Sequence, residues 1–335
     1  MKKILVTGGA GFIGLALVEG MLGSDPEANV VLVDNFSRGR DDEDFKKVTA
    51  DARVKVLALD LADPASYEKL GNGYDQVYHL AAVNGTDLFY KIPQEVLRVD
   101  MLALIYMLEW FKKENHEGKF CFTSSCEAYA GLDAFHALPI PTPEDVPLVI
   151  ADPYNPRWSY AATKLIGELF VVNYAAAYKF RAFVVRPHNF YGPRAGYNHV
   201  IPDFSLRIQG KVDPFPIFGA NETRTFCYID DAVQELQMLM NSTETDSLPI
   251  VTVNMGGGEE ITIKDLAEKM FSVAGWKPQK LDIHEAPRGS AKRRHADTSK
   301  IEKLIGHKPS VSLEDGLRKT MEWYQKHPKP SDYGA

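Results

Sequence analysis

Apolar residues follow two rhythms along the chain. Short runs such as "KILVTG", "NVVLVDN", "VKVLALDL", "DQVYHLAA", "KFCFTSS" and "RAFVVRPHNFYG" have the length of buried strands and, in most cases, the β-branched or aromatic content. Between them, apolar positions recur three and four residues apart. That spacing predicts helices over "FIGLALVEGMLGS", "PQEVLRVDMLALIYMLEWFKKE" and "SYAATKLIGELFVVNYAAAY", with "ADPASYEKL" opening another. A parallel pair of strands needs a long crossover, and the crossover helix packs back on the sheet. The alternation therefore predicts a parallel sheet with helices on both faces.

The texture changes after residue 186. Residues 192–226 are rich in Pro, Gly and Arg, followed by the helical patterns "YIDDAVQELQMLMNS", "TIKDLAEKMFSVAG" and "SLEDGLRKTMEWYQKH" and one further strand, "IVTVNMG". The expected division is a nucleotide-binding α/β domain over 1–186, with part of its sheet continuing later in the chain, and a smaller mixed α/β cap over 187–330. Residues 131–157 are Pro-rich and predicted irregular. So long a loop in a compact domain is usually functional or mobile.

Composition narrows the function. The 335 residues are 45% hydrophobic and 25% charged, and the net charge of −7 argues against non-specific binding to nucleic acid. A local basic cluster, "AKRRH" at 291–295, would still suit a small anion. Three cysteines at irregular spacing form neither a disulfide framework nor a zinc pattern, so no metal is expected and a reducing, cytoplasmic setting is. No apolar run approaches the roughly 18 residues of a membrane helix.

The first strand runs into "VTGGAGFIG", which opens a helix. In such a loop Gly8 permits the tight turn, Gly11 lets the backbone approach a pyrophosphate, and Gly14 allows close packing of helix on strand. The helix N-terminus at Phe12 and Ile13 offers free amides to phosphate. Asp34 ends the next strand twenty residues after Gly14, followed by Asn35. There a carboxylate accepts hydrogen bonds from the adenosine ribose, which favours NAD, whereas Arg38 or Arg40 would instead hold the 2′-phosphate of NADP. Asp60 and Leu61 close the third strand, either as an adenine contact or as a cap of the next turn. The small residues of "HLAA", Leu80, Ala81 and Ala82, let the backbone pass along a dinucleotide, and His79 before them reads as structural.

"YAATK" puts Tyr160 and Lys164 on one helix face. A neighbouring ammonium and a cationic nicotinamide favour the phenolate, so Tyr160 is expected to have a lowered pKa and to act as general base on an alcohol, with Lys164 also holding the nicotinamide ribose.

With these motifs in place, nearly the whole chain resembles the extended short-chain dehydrogenase/reductase family, and within it the NAD-dependent nucleotide-sugar epimerases and dehydratases. The resemblance implies a Rossmann-type doubly wound parallel sheet with a C-terminal cap, NAD as cofactor and a nucleotide-diphosphate sugar as substrate. It also implies a homodimer joined through a four-helix bundle of helices 94–114 and 158–178. In "TSSCEAY" it assigns Thr123 to the nicotinamide ribose and Ser125 to the sugar hydroxyl near C4. "RPHNFYGPR" places Pro187 by the nicotinamide and Asn189 on the substrate diphosphate. "TRTFCYIDD" and "APRG" supply Arg224 and Arg288 as diphosphate ligands.

The pair after Ser125, Cys126 and Glu127, selects the reaction by the same resemblance. In the family's 4,6-dehydratases this tripeptide is typically Thr-Asp-Glu and in UDP-glucuronate decarboxylases Thr-Ser-Glu, while in simple 4-epimerases neither following position is usually acidic. The leading expectation is a dehydratase of 4,6- or 5,6-type, with Glu127 as the C5 base and Cys126 as an unusual acid. The alternatives are a 4-epimerase, a uronate decarboxylase with Arg157, Arg194 or His188 as carboxylate partner, and, remotely, a catalytically silent NAD-binding regulator. Two departures from the family pattern stand out. Asp100 replaces the usual Asn, and "VNGTDLFY" at 83–90 matches no known substrate loop.

Overall fold

The computed structural model describes residues 1–286 and 290–330. Seven parallel strands form the main sheet: β1 (Lys2–Thr7), β2 (Ala28–Asp34), β3 (Val54–Ala58), β4 (Gln76–His79), β5 (Lys119–Thr123), β6 (Arg181–Pro187) and β7 (Ile250–Met255). Their spatial order is β7-β6-β5-β4-β1-β2-β3. The order reverses between β1 and β4, and the crevice at the carboxyl ends of these two strands is where doubly wound sheets bind ligands.

The residues alternate across this sheet as its pleat requires. Ile4 and Val6 of β1 point into one core with Leu32 of β2, while Leu5 and Val33 point into the other. The first face is covered by α1 (Phe12–Ser24), which buries Leu15, Leu17, Val18 and Met21. The helix Ile229–Asn241 packs beside it, so the second half of the chain completes a layer begun by the first. Each such side chain stabilises the fold by roughly 1.5–3 kcal/mol relative to exposure.

Two short helices, α2 (Glu43–Thr49) beyond β2 and α3 (Thr86–Lys91), precede α4 (Pro93–Glu114), which with α5 (Trp158–Tyr178) covers the opposite face. Neither α2 nor α3 is marked by apolar periodicity in the sequence. Gly167 allows α5 to sit close to β5, because a Cβ there would lie 2.5 Å from Cζ of Phe122. The segment Pro64–Lys69, which opens like a helix in the sequence, is a 3-10 turn capped by Asp63. Between the 3-10 turn Ala130–Phe135 and Trp158 the chain has no helix, as its prolines predict.

The remaining strands form small sheets: Phe190–Tyr191 with Cys227–Tyr228, Phe215–Phe218 with Leu281–His284, and Thr223–Arg224 between Ile261–Thr262 and Arg293–Arg294. This last sheet carries two arginines to the edge of the site. Among the described residues, no helix is long and apolar enough to cross a membrane.

Candidate active site

At the switch point the glycine loop forms a cradle that a side chain would fill. Gly8 has φ of +68°, and a Cβ on it would lie 2.9 Å from the amide nitrogen of Ala81. A Cβ on Gly14 would lie 2.3 Å from the Gly8 carbonyl oxygen. Thr7 draws β4 in from below. Its hydroxyl accepts from the amides of Leu80 and Ala81, each at 3.2 Å, and contacts His79 Nδ1 at 3.1 Å. Burial lowers the His79 pKa to about 3, so this ring is a neutral structural strut.

The cleft above the loop has a volume of about 250 Å³, and Gly8, Gly11, Phe12, Ile13 and Gly14 line it. Asp34, Asn35, Asp60, Leu61, Leu80, Ala81, Ala82 and Thr123 form its sides. The cleft has the apolar-and-polar character of a dinucleotide site. Asp34 accepts from the amides of Ala10 at 3.0 Å and Phe36 at 2.8 Å. Its pKa is raised by burial, against the pull of these amides and of Arg194. Asp60 lines the cleft and accepts from the Ala62 amide at 3.0 Å, while the following 3-10 turn is capped by Asp63. The Thr123 hydroxyl is buried without a partner among the described residues, as a ribose contact would leave it. These residues fit NAD.

The two NADP candidates differ. Both line the cleft, but Arg40 also donates to the Arg194 carbonyl at 2.8 Å and lies over the Trp323 ring at 5.3 Å. Arg194 is a cleft residue that motif reasoning placed elsewhere. It pairs with Asp42 at 2.9 Å, reaches the Ala10 carbonyl at 3.3 Å, and keeps a buried Nη1 with no described partner. It therefore lines the same cleft as the glycine loop and Asp34.

Tyr160, Lys164 and Pro187 are not walls of this cleft but stand beyond its Thr123 end. Lys164 Nζ donates to the Thr123 carbonyl at 2.9 Å and lies 5.3 Å from the Tyr160 ring. Burial lowers the lysine's pKa, while Asp100 opposes the change. Burial pushes the Tyr160 phenol up, and the charges of Asp100 and Glu127 push the same way, with the Ser125 hydroxyl opposing. The phenol is thus raised where its spacing from Lys164 suggested a lowered value. Burial is the largest cause, and Asp100 and Glu127, both distant in sequence, add to it. Pro187 closes β6, and Asn189 beyond it adopts φ of 43° and donates to the Thr225 carbonyl at 2.9 Å.

Ser125 caps a 3-10 turn over Cys126–Ala128, its Oγ accepting from the Glu127 amide at 3.2 Å. The turn aims Glu127 at a cluster of guanidinium groups. Arg294, from the basic cluster seen in the sequence, is hydrogen-bonded to Glu127 Oε1, and Arg157 Nη2 lies 3.4 Å from Oε2. Burial raises the Glu127 carboxyl, but Arg294, Arg157 and Arg224 overcome it and hold the group below its ordinary value. Arg157 Nη1 is itself buried without a described partner. Arg224 is paired with Glu222 at 2.9 Å, and burial together with repulsion from Arg294 lowers its pKa to about 10. Cys126 is buried in an apolar cluster with Tyr129 and Leu132, and burial raises its thiol. His188 is hydrogen-bonded through Nε2 to the Tyr129 hydroxyl, and burial holds its pKa at about 3. Arg288 lies outside the described residues.

Comparison with known proteins places this geometry. The model of the NAD-dependent epimerase/dehydratase family matches residues 4–256. The chain is 27% identical over 329 residues to dTDP-glucose 4,6-dehydratase of an Actinoplanes species, covering 96% of this chain and 98% of that protein. It is 28% identical over 348 residues to UDP-N-acetyl-alpha-D-glucosaminuronate decarboxylase of Bacillus cytotoxicus, covering 97% and 98%. Among solved structures, a UDP-glucuronic acid 4-epimerase mutant from Bacillus cereus, in complex with UDP-4-deoxy-4-fluoro-glucuronic acid and NAD, superposes with a TM-score of 0.84 at 26% identity, covering 97% and 99%. The three relatives carry out three different reactions.

Proposed function

The chain belongs to the NAD-dependent epimerase/dehydratase family and is an NAD-dependent enzyme acting on nucleotide sugars, and from that premise we propose that it oxidises C4 of a nucleotide-diphosphate uronate and releases the C6 carboxylate as CO2. The observation that carries this reading is the guanidinium cluster at Glu127. Arginine forks match a planar carboxylate, and Arg157 keeps a buried, unpartnered Nη1 for one.

The chemistry follows from the residues. Tyr160 takes the proton of the C4 hydroxyl, with Ser125 beside it holding that oxygen. The glycine loop and Asp34 would hold NAD, which would supply the hydride acceptor for C4 and a positive charge that favours the phenolate. The resulting 4-keto uronate is a β-keto acid. When its C5–C6 bond breaks, the electron pair passes to the C4 oxygen as an enolate, CO2 departs, and C5 takes a proton. Hydroxyls of Ser125 and Tyr160 stabilise the enolate oxygen. No C5 base is needed.

A dehydratase of 4,6- or 5,6-type is the second reading, favoured by the place of Glu127 within the electrostatic reach of Tyr160. It needs Glu127 as a free C5 base. Here the arginines hold the carboxylate's pKa down, and each unit of lowering costs about 1.4 kcal/mol of proton affinity. Arg294 and Arg157 would have to let go first. Cys126, packed among apolar side chains, is a poor acid for that route. A 4-epimerase of a neutral sugar would leave the Glu127–Arg294–Arg157 cluster without a task, while a uronate 4-epimerase would use the same carboxylate site and is told apart by an unchanged product mass.

The same proposal gives residues 1–186 with β7 to NAD and residues 187–330 to the sugar nucleotide, whose diphosphate Asn189 and Arg224 would hold, joined by Arg288. It includes a homodimer through α4 and α5, where Leu97, Ile166 and Leu169 expose apolar surface, and a cytoplasmic setting for the three buried free cysteines. The test is product mass spectrometry with UDP-, GDP-, CDP- and dTDP-linked glucose and glucuronate. Loss of CO2 from a uronate supports the proposal. Loss of water from a hexose, or an unchanged mass throughout, overturns it.

A further inference from the structure

Residues 83–91 lie shortly after β4 and carry no recognised motif, yet they pack against Tyr160 from outside its own helix. Val83 and Asn84 line the cofactor cleft, and α3 then brings Phe89 onto the Tyr160 ring. The two rings stack nearly parallel, with centroids 5.0 Å apart and planes at 11°. Both residues are 8% exposed, and with Val96 they form an apolar cluster separate from the two large cores. This cluster is therefore not a by-product of sheet packing.

A second tie runs through Asp100. Its Oδ1 accepts from the Val83 amide at 2.7 Å, at the root of the same segment. Its Oδ2 lies 3.0 Å from the Thr163 hydroxyl, which lies 2.9 Å from the Tyr160 carbonyl oxygen. One buried side chain thus links the segment, α4 and the turn of α5 that carries Tyr160.

Resting on the reading of Tyr160 as the proton acceptor, we infer that Phe89 and Asp100 are positioning residues for it. Phe89 fixes the plane of the phenol by stacking, and Asp100 fixes the turn from which the phenol projects. An aromatic pair contributes about 0.5–1.5 kcal/mol beyond burial, and when that is spent on orientation its loss lowers turnover about three- to tenfold.

The experiment uses the full chain with NAD and whichever of the eight panel sugar nucleotides the wild type turns over. Phe89→Leu is expected to lower kcat about three- to tenfold while KM stays within about twofold. Phe89→Tyr, which keeps a stacking ring, restores most of the rate. Asp100→Ala lowers kcat, and Asp100→Asn, which still accepts from Val83 and bonds Thr163, recovers it. Thermal midpoints are recorded for each variant. Phe89→Leu turning over at the wild-type rate overturns the inference, as does a loss that Phe89→Tyr does not restore. Tyr160→Phe distinguishes the two levels. If it keeps full turnover the reading of Tyr160 itself is wrong, whereas an inactive Tyr160→Phe beside an unimpaired Phe89→Leu refutes only the positioning.

Discussion

Glu235 sits on the helix Ile229–Asn241, 1% exposed, and neither of its carboxylate oxygens has a described hydrogen-bond partner. Burial raises its pKa from 4.5 to about 8, with Asp231 and Glu302 adding repulsion. In the unfolded chain the group titrates near its ordinary value. Between roughly pH 4.5 and 8 the native state therefore holds a proton that the unfolded state has released. Stability is unaffected below that window and falls by about 1.4 kcal/mol per pH unit as pH rises through it, a total of roughly 3–5 kcal/mol. Glu235→Gln keeps the shape and does not titrate. Guanidinium unfolding of both proteins at pH 5, 6.5 and 8, at one ionic strength, should show curves that nearly coincide at pH 5. The variant's advantage should then grow with each step. Parallel behaviour at all three values would refute the assignment of a buried, protonated carboxyl.

In α1, Gly14→Ala should weaken NAD binding by about a hundredfold or more, read by calorimetry, since its Cβ meets the Gly8 carbonyl at 2.3 Å. Gly23→Ala in the same helix, with no atom within 4 Å of a new Cβ, should bind NAD normally and add about 0.5–1 kcal/mol of stability. Leu169, 54% exposed on α5, is a sensitive position for the proposed dimer. Leu169→Asp should convert a dimer to a monomer in light scattering with its thermal midpoint little changed, and a wild-type protein that is already monomeric would refute that interface.

What could be read from the chain in advance was the part fixed by local rules. Gly8 and Gly14 are legible because a turn and a close backbone approach exclude any Cβ. Tyr160 and Lys164 are legible because helix spacing alone puts them on one face. Strand alternation likewise gave both faces of the sheet. The environment of Glu127 was not legible, since Arg294 lies 167 positions away and reaches it only because the short strand Arg293–Arg294 joins Thr223–Arg224 at the site's edge. Arg157 and the "AKRRH" cluster were visible as charges, but their target was not. Tyr160 taught the sharper lesson. Its neighbour on the helix suggested a lowered phenol, while Asp100, Glu127 and burial, all set by tertiary structure, raise it. Phe89 fell in a segment without periodicity, where only the fold shows what it touches.

The central claim is that the arginines around Glu127 receive a substrate carboxylate that is then lost. Incubation with NAD and nucleotide-linked glucuronate carrying 13C at C6 tests it most directly. The account predicts 13CO2 in proportion to sugar consumed, and its disappearance when Arg157 and Arg294 are both replaced by Ala. A protein that leaves every labelled uronate intact, yet removes water from a neutral hexose, would contradict it.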